Sequence, residues 1–284
     1  MTEPLPRSRL MAPRFGQHKA AVGSAAIFAL LALACTLAPW IAPYPFDAID
    51  LDSVKQAPSL HHLMGTDDLG RDVFTRMLFG GRVSILIGVL AATLGTGLGA
   101  AIGAIAGYYG GRIDNLLMRF TDVAYAIPTL PLLIILSAYS RAAVFAMVLI
   151  VGLLSWMSTA RVVRSQVLTI REMEYVEAAR GMGASDIRIL LRHVIPNALG
   201  PILVGATLGV GNAIMVESSL SFLGLGVQPP TPTWGNMLMD SQATMATKPW
   251  LTLFPGLAIL LVVMAVNFIG DALRDALEPA ARPE

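Results

Sequence analysis

Residues 174–196 have the sequence EYVEAARGMGASDIRILLRHVIP, a charged segment between two long apolar stretches of the chain. Its acidic and basic side chains occupy seven positions: Glu174, Glu177, Arg180, Asp186, Arg188, Arg192 and His193. Because charged side chains are costly in hydrocarbon, this segment must face water. The apolar stretches around it therefore decide both the fold and the side of the membrane on which the segment lies.

The composition places the chain among membrane proteins. Of its 284 residues, 55% are hydrophobic and only 14% are charged, and the mean hydropathy is +0.65. An ordinary soluble domain has about 25% charged residues. The predicted class is therefore an all-α protein that crosses the membrane several times.

Several kinds of site are missing from the sequence. No lysine follows a GxxxxG loop, so the chain lacks that phosphate-binding motif of ATP-hydrolysing proteins. Cys35 is the only cysteine and the four histidines have no metal-ligand spacing, so neither a disulfide nor a metal site is expected. The net charge is +1 and no basic cluster occurs, which gives no reason to expect nucleic acid. We predict no catalytic residue, metal or cofactor on this chain.

Six apolar stretches are each long enough, as helices, to cross a hydrocarbon core of about 30 Å. They cover residues 20–42, 83–107, 116–139, 142–160, 198–226 and 251–272. The predicted organisation is an N-terminal arm, a first span, a loop, a five-helix core that contains a polar segment, and a C-terminal tail. The bounds of these parts are 1–19, 20–42, 43–82, 83–272 with the polar segment at 165–196, and 273–284.

The first apolar stretch has two alternatives to an uncleaved span. Ala32-Leu33-Ala34 fits the small-residue cleavage site of a signal peptide, and Cys35 offers the position of a lipidated cysteine. However, the stretch is longer than the apolar region of an ordinary signal peptide, and Ala32 is atypical three residues before a lipidated cysteine. An uncleaved first span is therefore predicted.

Lysine and arginine are unevenly divided between the two sides. With six spans both termini lie on one side, together with the 165–196 segment, and that side carries 14 of the 20 basic residues. Basic residues favour the cytoplasmic side. The termini and the segment are therefore predicted to be cytoplasmic, and the loop 43–82 extracytoplasmic.

Small residues recur at every fourth position along the second span, at Ala91, Gly95, Gly99, Gly103, Gly107 and Gly111. Such a ridge lets another helix approach closely. In the third span, Pro128 and Pro131 are expected to bend the helix. After the fifth span, Trp234 and Trp250 are expected to lie at the membrane interface.

The loop 43–82 contains an acidic stretch that raises the question of a metal site. Asp67, Asp68 and Asp72 do not have the spacing of a calcium-binding EF-hand loop. Gly65 and Gly70 suit tight turns, so a structural hairpin is the preferred interpretation.

Periodicity divides the polar segment into two short helices. The first, over residues 172–182, has a face with small side chains that admit close approach by another protein. That face consists of Tyr175, Ala178, Ala179 and Met182. Gly181 and Gly183 end this helix, and Ser185 is the predicted N-cap of the second. An amphipathic loop resting on lipid headgroups is the alternative interpretation.

Several blocks of the sequence resemble one family. Glu177-Ala178-Ala179, followed by Gly183 and Ile195-Pro196, resembles the EAA loop of the permease subunits of ABC importers, where leucine usually precedes the proline. Three more blocks resemble the dipeptide and oligopeptide branch of that family: HLMGTDDLGRDVFTR at 62–76, ESSLSFLGLGVQPPTPTWGNM at 217–237 and PWLTLFPGLAILLVVMAVNFIGDALRDALEP at 249–279. Together the blocks span most of the chain.

The resemblance implies a type I importer permease fold in a bacterial inner membrane, with this chain as one of two non-identical membrane subunits. It implies two cytoplasmic ATPase subunits that bind ATP and magnesium, an extracytoplasmic peptide-binding protein, and a di- or oligopeptide substrate. The residues expected to contact the ATPase are Tyr175, Glu177, Ala178, Ala179, Gly181, Gly183, Ser185 and Arg188.

Two other functions stay open. An importer of the same architecture for a nickel chelate or another small solute would share these blocks. A secondary transporter that works alone is the more remote alternative, because the chain shows no inverted repeat and few charges within its spans.

Three polar residues of the last two spans are candidates for the translocation path: Asn212, Glu217 and Asn267. Ionisable residues within spans usually face a cavity or a partner. For Glu217 two alternatives are open, namely that it holds helices together or that it lies at the outer boundary of the span.

Overall fold

The computed structural model describes residues 19–139 and 143–277, and within these ranges the fold is helical. The helices are α1 (Lys19–Thr36), α2 (Ala38–Ile41), α3 (Val73–Tyr109), α4 (Gly111–Ala126), α5 (Thr129–Tyr139), α6 (Val144–Leu153), α7 (Trp156–Ile170), α8 (Glu174–Gly181), α9 (Asp186–Ile189), α10 (Ile195–Phe222), α11 (Trp234–Ser241) and α12 (Trp250–Leu277). A π-helical turn, Leu190–Val194, joins α9 to α10. The predicted all-α class is confirmed. The predicted arm, except for Lys19, and the end of the predicted tail lie outside the described residues.

Within residues 19–139 and 143–277, four helical runs are long and apolar enough to cross a membrane: Lys19–Thr36, Val73–Tyr109, Asp186–Phe222 and Trp250–Leu277. Two pairs of helices qualify only when each pair is counted together. These are α4 with α5, bent by 78°, and α6 with α7, bent by 43°. The predicted six spans are therefore present if each bent pair is one span. The side on which the termini lie stays a prediction.

The sharp bend between α4 and α5 has a local cause. Pro128 disfavours a helical conformation at the preceding residue, and Ile127 is extended, with φ −76° and ψ 125°. Pro131 lies instead in the first turn of α5, where its missing N–H leaves no helical bond unmade. Pro128 therefore bends the span as predicted, whereas Pro131 is accommodated in α5 without a bend.

The glycine ridge of α3 packs against α7, as the spacing predicts. A Cβ added to Gly99 would lie 2.5 Å from the carbonyl oxygen of Trp156, and one added to Gly107 would lie 2.8 Å from that of Arg164. Only residues without a Cβ permit this approach of the two backbones. The ridge stops there, since a Cβ on Gly111 would meet nothing within 4 Å.

Two helices extend beyond the predicted spans because their charged side chains are paired. α3 begins at Val73 instead of Val83, and Asp72 caps it by accepting the N–H of Thr75 at 2.8 Å. α7 continues past the predicted end at residue 160, because Arg164 donates to both carboxylate oxygens of Asp114 at 2.5 and 2.6 Å.

The fifth span differs from the prediction at both ends. α9 does not form a separate helix but continues through the π turn into α10, giving one helical run from Asp186 to Phe222. The π turn comes just before Pro196, whose missing N–H removes a helical hydrogen bond. At the other end α10 stops before the predicted Gly226. There Gly224 adopts φ +78°, and the N–H of Leu225 bonds to the carbonyl of Leu220 at 2.9 Å.

Candidate functional site

The first helix of the polar segment, α8, is held by one buried face. Val176 is fully buried and Ala179 is 3% exposed, three residues apart on the same side of the helix. They pack in a cluster with Tyr108 of α3 and Ile189 of α9. This contact fixes α8 against the end of the long helix α3.

The opposite side of α8 is open. Tyr175 is 43% exposed, and Glu177 and Ala178 are exposed beside it. The predicted face is therefore split between a buried and an exposed side of α8. Val176 packs against the rest of the chain, and Ala179, on the same side of the helix, is buried with it. Ala178 is exposed and presents a small side chain, as predicted, whereas Ala179 is buried.

Gly183 ends α8 in a left-handed turn. It adopts φ +81°, its N–H bonds to the Arg180 carbonyl at 3.0 Å, and the N–H of Ala184 bonds to the Ala179 carbonyl at 3.1 Å. This is the pattern of a Schellman motif, in which glycine is favoured at the left-handed position. A Cβ on Gly183 would meet nothing within 4 Å, so the turn faces open space within this chain.

The segment is tied to α3 by two polar contacts. The hydroxyl of Tyr108 donates to Asp186 Oδ1 at 2.8 Å, and Arg171 Nη1 donates to the Gly107 carbonyl at 3.0 Å. Ser185 occupies the predicted N-cap position of α9, but its side chain makes no capping bond. We call residues 171–194 the α8–α9 segment.

Seven of the eight residues predicted to contact an ATPase are exposed, namely Tyr175, Glu177, Ala178, Gly181, Gly183, Ser185 and Arg188. These residues lie on α8, on the turn at Gly183 and at the start of α9, and the eighth residue, Ala179, is buried. The anchoring role of Tyr108 is not visible in the sequence, because it lies 78 positions from its partner Asp186.

The predicted path residues do not form one site. Asn212 and Asn267 are exposed on α10 and α12, and a Cβ on Gly211 would lie 3.4 Å from Asn267 Oδ1. Glu217 is instead fully buried and bonded to serine side chains. Its surroundings favour the alternative that it holds helices together.

The acidic residues of the loop before α3 are used in structural bonds. Asp67 Oδ2 lies 2.7 Å from Arg71 Nε and 3.3 Å from Arg76 Nε. Both arginines also face Asp240 of α11, at 3.7 and 3.8 Å. Burial raises the pKa of the Asp240 carboxyl, and the two arginines oppose that shift. Asp72 is engaged as the cap of α3, and an antiparallel bridge between Thr66 and Asp72 closes the predicted hairpin.

Trp234 differs from the prediction. It was expected at the membrane interface, but only 1% of it is exposed, and its Nε1 donates to the Met77 carbonyl at 3.0 Å. The side chain fills the space left by Gly81, where a Cβ would come within 2.9 Å of the indole ring. Sequence position alone does not distinguish a tryptophan in the core from one at a lipid interface.

Two family models match the chain. Residues 99–283 match the binding-protein-dependent transport system inner membrane component family, and residues 8–58 match the N-terminal transmembrane domain of oligopeptide transport permease C. The first match covers the α8–α9 segment and the spans on both sides of it.

Relatives are similar over nearly the whole length. An oligopeptide transport system permease protein OppC of Haemophilus influenzae is 41% identical over 95% of this chain and 87% of its own. A putative peptide permease protein of Brucella suis is 43% identical, over 99% of this chain and 92% of its own. A glutathione transport system permease protein GsiD of Escherichia coli is 42% identical, over 94% of this chain and 88% of its own.

A solved structure shares the fold. A chain of the MetNI methionine ABC transporter, in an inward-facing conformation, aligns with a TM-score of 0.56 at 19% identity. The alignment covers 70% of this chain and 95% of that one. Taken together with the helical spans and the exposed α8–α9 segment, these matches show that the chain belongs to the family of inner membrane components of binding-protein-dependent transport systems.

Proposed function

We propose that this chain is a permease subunit that imports di- or oligopeptides and receives the motion of a cytoplasmic ATPase through the α8–α9 segment. The observation that carries the proposal is the shape of that segment. Its buried face is anchored to α3, while its other face presents Glu177, Ala178 and the open turn at Gly183. A small, polar and firmly supported surface of this kind suits docking by another protein.

The proposed transmission runs from α8 into the long helices. Movement of α8 displaces Val176 and Ala179, which pack against Tyr108 and Ile189. Asp186, bonded to Tyr108, begins the helical run that continues through α10. Closure of the ATPase subunits would therefore shift α3 and α10 together between two arrangements of the spans.

The assembly includes a second, homologous permease subunit that completes the path, two ATPase subunits that bind ATP and magnesium, and an extracytoplasmic peptide-binding protein. The exposed amides of Asn212 and Asn267 support a place for them on the path, because polar side chains are unfavourable against lipid. ATP hydrolysis is assigned to the partner subunits.

Peptide is the proposed substrate because the relatives are named for oligopeptides, peptides and glutathione, which is itself a tripeptide. A nickel chelate or another small solute remains the second candidate on architecture alone. Uptake of labelled di- and oligopeptides by cells that carry the complete set of subunits, in competition with nickel chelates, separates the two.

The docking role is tested with matched glycine variants. Gly183 and Gly111 both have positive φ and open space around a Cβ, so leucine at either position carries a similar backbone strain. Only Gly183 lies on the proposed docking surface. We expect G183L to accumulate in the membrane but to lose ATP-driven uptake at least tenfold, and G111L to retain it. Normal uptake by G183L would contradict the docking role.

A further inference from the structure

One buried carboxyl group within a span has no basic partner among the residues that the structure describes. Glu217 is fully buried on α10, and no ion pair to it occurs among residues 19–139 and 143–277. Its contacts are hydroxyl groups. Ser84 Oγ donates to Glu217 Oε2 at 3.0 Å, and Ser221 Oγ donates to Oε1 at 2.7 Å. Ser218 Oγ lies 3.5 Å from Oε2.

These donors come from two spanning helices. Ser84 belongs to α3, and Ser218 and Ser221 belong to α10. Ser84 Oγ also accepts the backbone N–H of Trp234 at 3.3 Å. The carboxyl group thus joins two spanning helices, and Ser84 extends the connection to the start of α11. We call Ser84, Glu217, Ser218, Ser221 and Trp234 the Glu217 cluster.

The surrounding packing prevents these elements from sliding past each other. A Cβ on Gly235 would lie 2.6 Å from Ser221 Cβ and 2.7 Å from the Ser218 carbonyl oxygen. The N-terminus of α11 is further fixed by a capping box, in which Thr233 and Asn236 exchange bonds of 2.9 and 3.1 Å. Any shift of α10 at this level must therefore carry α11 with it or break the cluster.

The same two long helices are also connected near their opposite ends. Tyr108, near the end of α3, bonds to Asp186, where the helical run of α10 starts. From Asp186 to Glu217 the run is roughly 45 Å long at the usual rise per residue. α3 and α10 are thus bonded both at the α8–α9 segment and at the Glu217 cluster.

We propose that Glu217 is a positioning residue which makes α3, α10 and α11 move as one body, so that displacement of the α8–α9 segment reaches the far end of the spans. This inference rests on the proposed function. It assigns Glu217 a role in linking ATP hydrolysis to opening of the path, through hydrogen bonds and without contact with the transported molecule.

The test uses the complete transporter with its ATPase subunits and binding protein. In E217A the three hydroxyl donors lose their common acceptor. We expect this variant to copurify with the ATPase at the wild-type level and to hydrolyse ATP without the binding protein, while uptake falls at least tenfold. E217Q keeps the shape and an acceptor oxygen, and a rotated hydroxyl can accept from its amide. It should restore uptake to within about threefold of wild type.

Ser219 provides the matched control, because it is exposed on the same helix and bonds only to the Met215 carbonyl of its own turn. S219A should behave as wild type. If E217A fails to accumulate, the double variant S84A/S221A removes two donors while keeping the carboxyl, and it should show the same uncoupled hydrolysis. Normal coupling in E217A or in the double variant overturns the proposal, as does an equal defect in E217Q and E217A. If the wild-type chain does not bind an ATPase at all, it is the proposed function that fails.

Discussion

The α8–α9 segment and the Glu217 cluster are both polar, yet they are built in opposite ways. In the cluster, the polar groups are buried and bond to one another across three elements. In the segment, most polar side chains are exposed, and two bonds to α3 supplement the apolar cluster in which Val176, Ala179 and Ile189 are buried. The difference indicates a unit that must stay rigid at one end and a surface that must remain available to a partner at the other.

The largest effect is expected where a largely buried network of charges loses one of its two arginines, in the loop and α11 beside the Glu217 cluster. Arg76 is 2% exposed and faces Asp67 and Asp240. R76L should lower the free energy of unfolding by about 3 kcal/mol, because the buried Asp67 and the partly exposed Asp240 lose one of their two arginine partners. Thermal unfolding of wild type and R76L in detergent measures this loss of stability.

Lys55 is the control for that substitution. It pairs with Asp68 at 3.2 Å, but both side chains are about a third or more exposed. K55L should change the stability by less than about 1 kcal/mol. Equal effects of R76L and K55L would show that the buried network is not what stabilises this end.

The next effect is steric and compares a tightly packed glycine beside the Glu217 cluster with a loosely packed glycine in α12. G235V places a side chain against Ser221 and Ser218, so we expect about 1–3 kcal/mol of destabilisation from overpacking. G256V is the matched variant in α12, where the nearest atom to a new Cβ lies 3.9 Å away. It should accumulate normally. Similar levels of both proteins in the membrane would contradict the close packing described for the Glu217 cluster.

A smaller effect is expected at the α8–α9 segment. Y108F removes the hydroxyl that bonds to Asp186 and should cost about 1 kcal/mol of stability. The consequence for uptake should be larger than for stability, because this bond holds the proposed docking segment to α3. Y109F, at the exposed neighbouring residue, should change neither. Uptake and thermal unfolding, both measured on Y108F and Y109F, test whether the loss of uptake in Y108F exceeds its loss of stability.

The smallest effect is a pH dependence at Asp240. Burial raises the pKa of this carboxyl in the folded protein above its ordinary value of 3.8. The folded state therefore binds the proton more tightly than the unfolded state, so Asp240 favours folding more as the pH falls through this window and less as the pH rises. The difference in unfolding temperature between wild type and D240N should change in that direction between pH 7 and pH 4. A constant difference would contradict the shift.

The sequence predicted the helical class, the glycine ridge and the bend at Pro128, because each depends on local composition or on a single residue. It also predicted where α8 ends, since Gly183 supports a left-handed turn. It did not predict that α3 would begin at Val73, because apolarity alone suggests that a span ends at charged residues such as Arg76. That side chain is buried only because Asp67 and Asp240 meet it in three dimensions.

The α8–α9 segment and the Glu217 cluster differ in the same way, because one depends on local contacts and the other on contacts between distant residues. The exposed residues of the α8–α9 segment are neighbours in the chain, so a local motif was sufficient to group them. Ser84 and Glu217 lie 133 positions apart, and nothing in either stretch of sequence indicates their bond. The inward turn of Ala179 likewise depends on contacts with α3 and α9. Contacts between segments that are distant in the sequence cannot be predicted from the periodicity of that sequence.

The central claim is that α8 presents one face to an ATPase while the other is held within this chain. Ala178 and Ala179 are adjacent residues with opposite exposure, so they test it most directly. In a C35A background, A178C should react with a photoactivatable maleimide before the ATPase is added and cross-link to an ATPase subunit on illumination after assembly, while A179C should remain unlabelled. Cross-linking from Ala178 only to lipid, or equal labelling at both positions, would contradict the account.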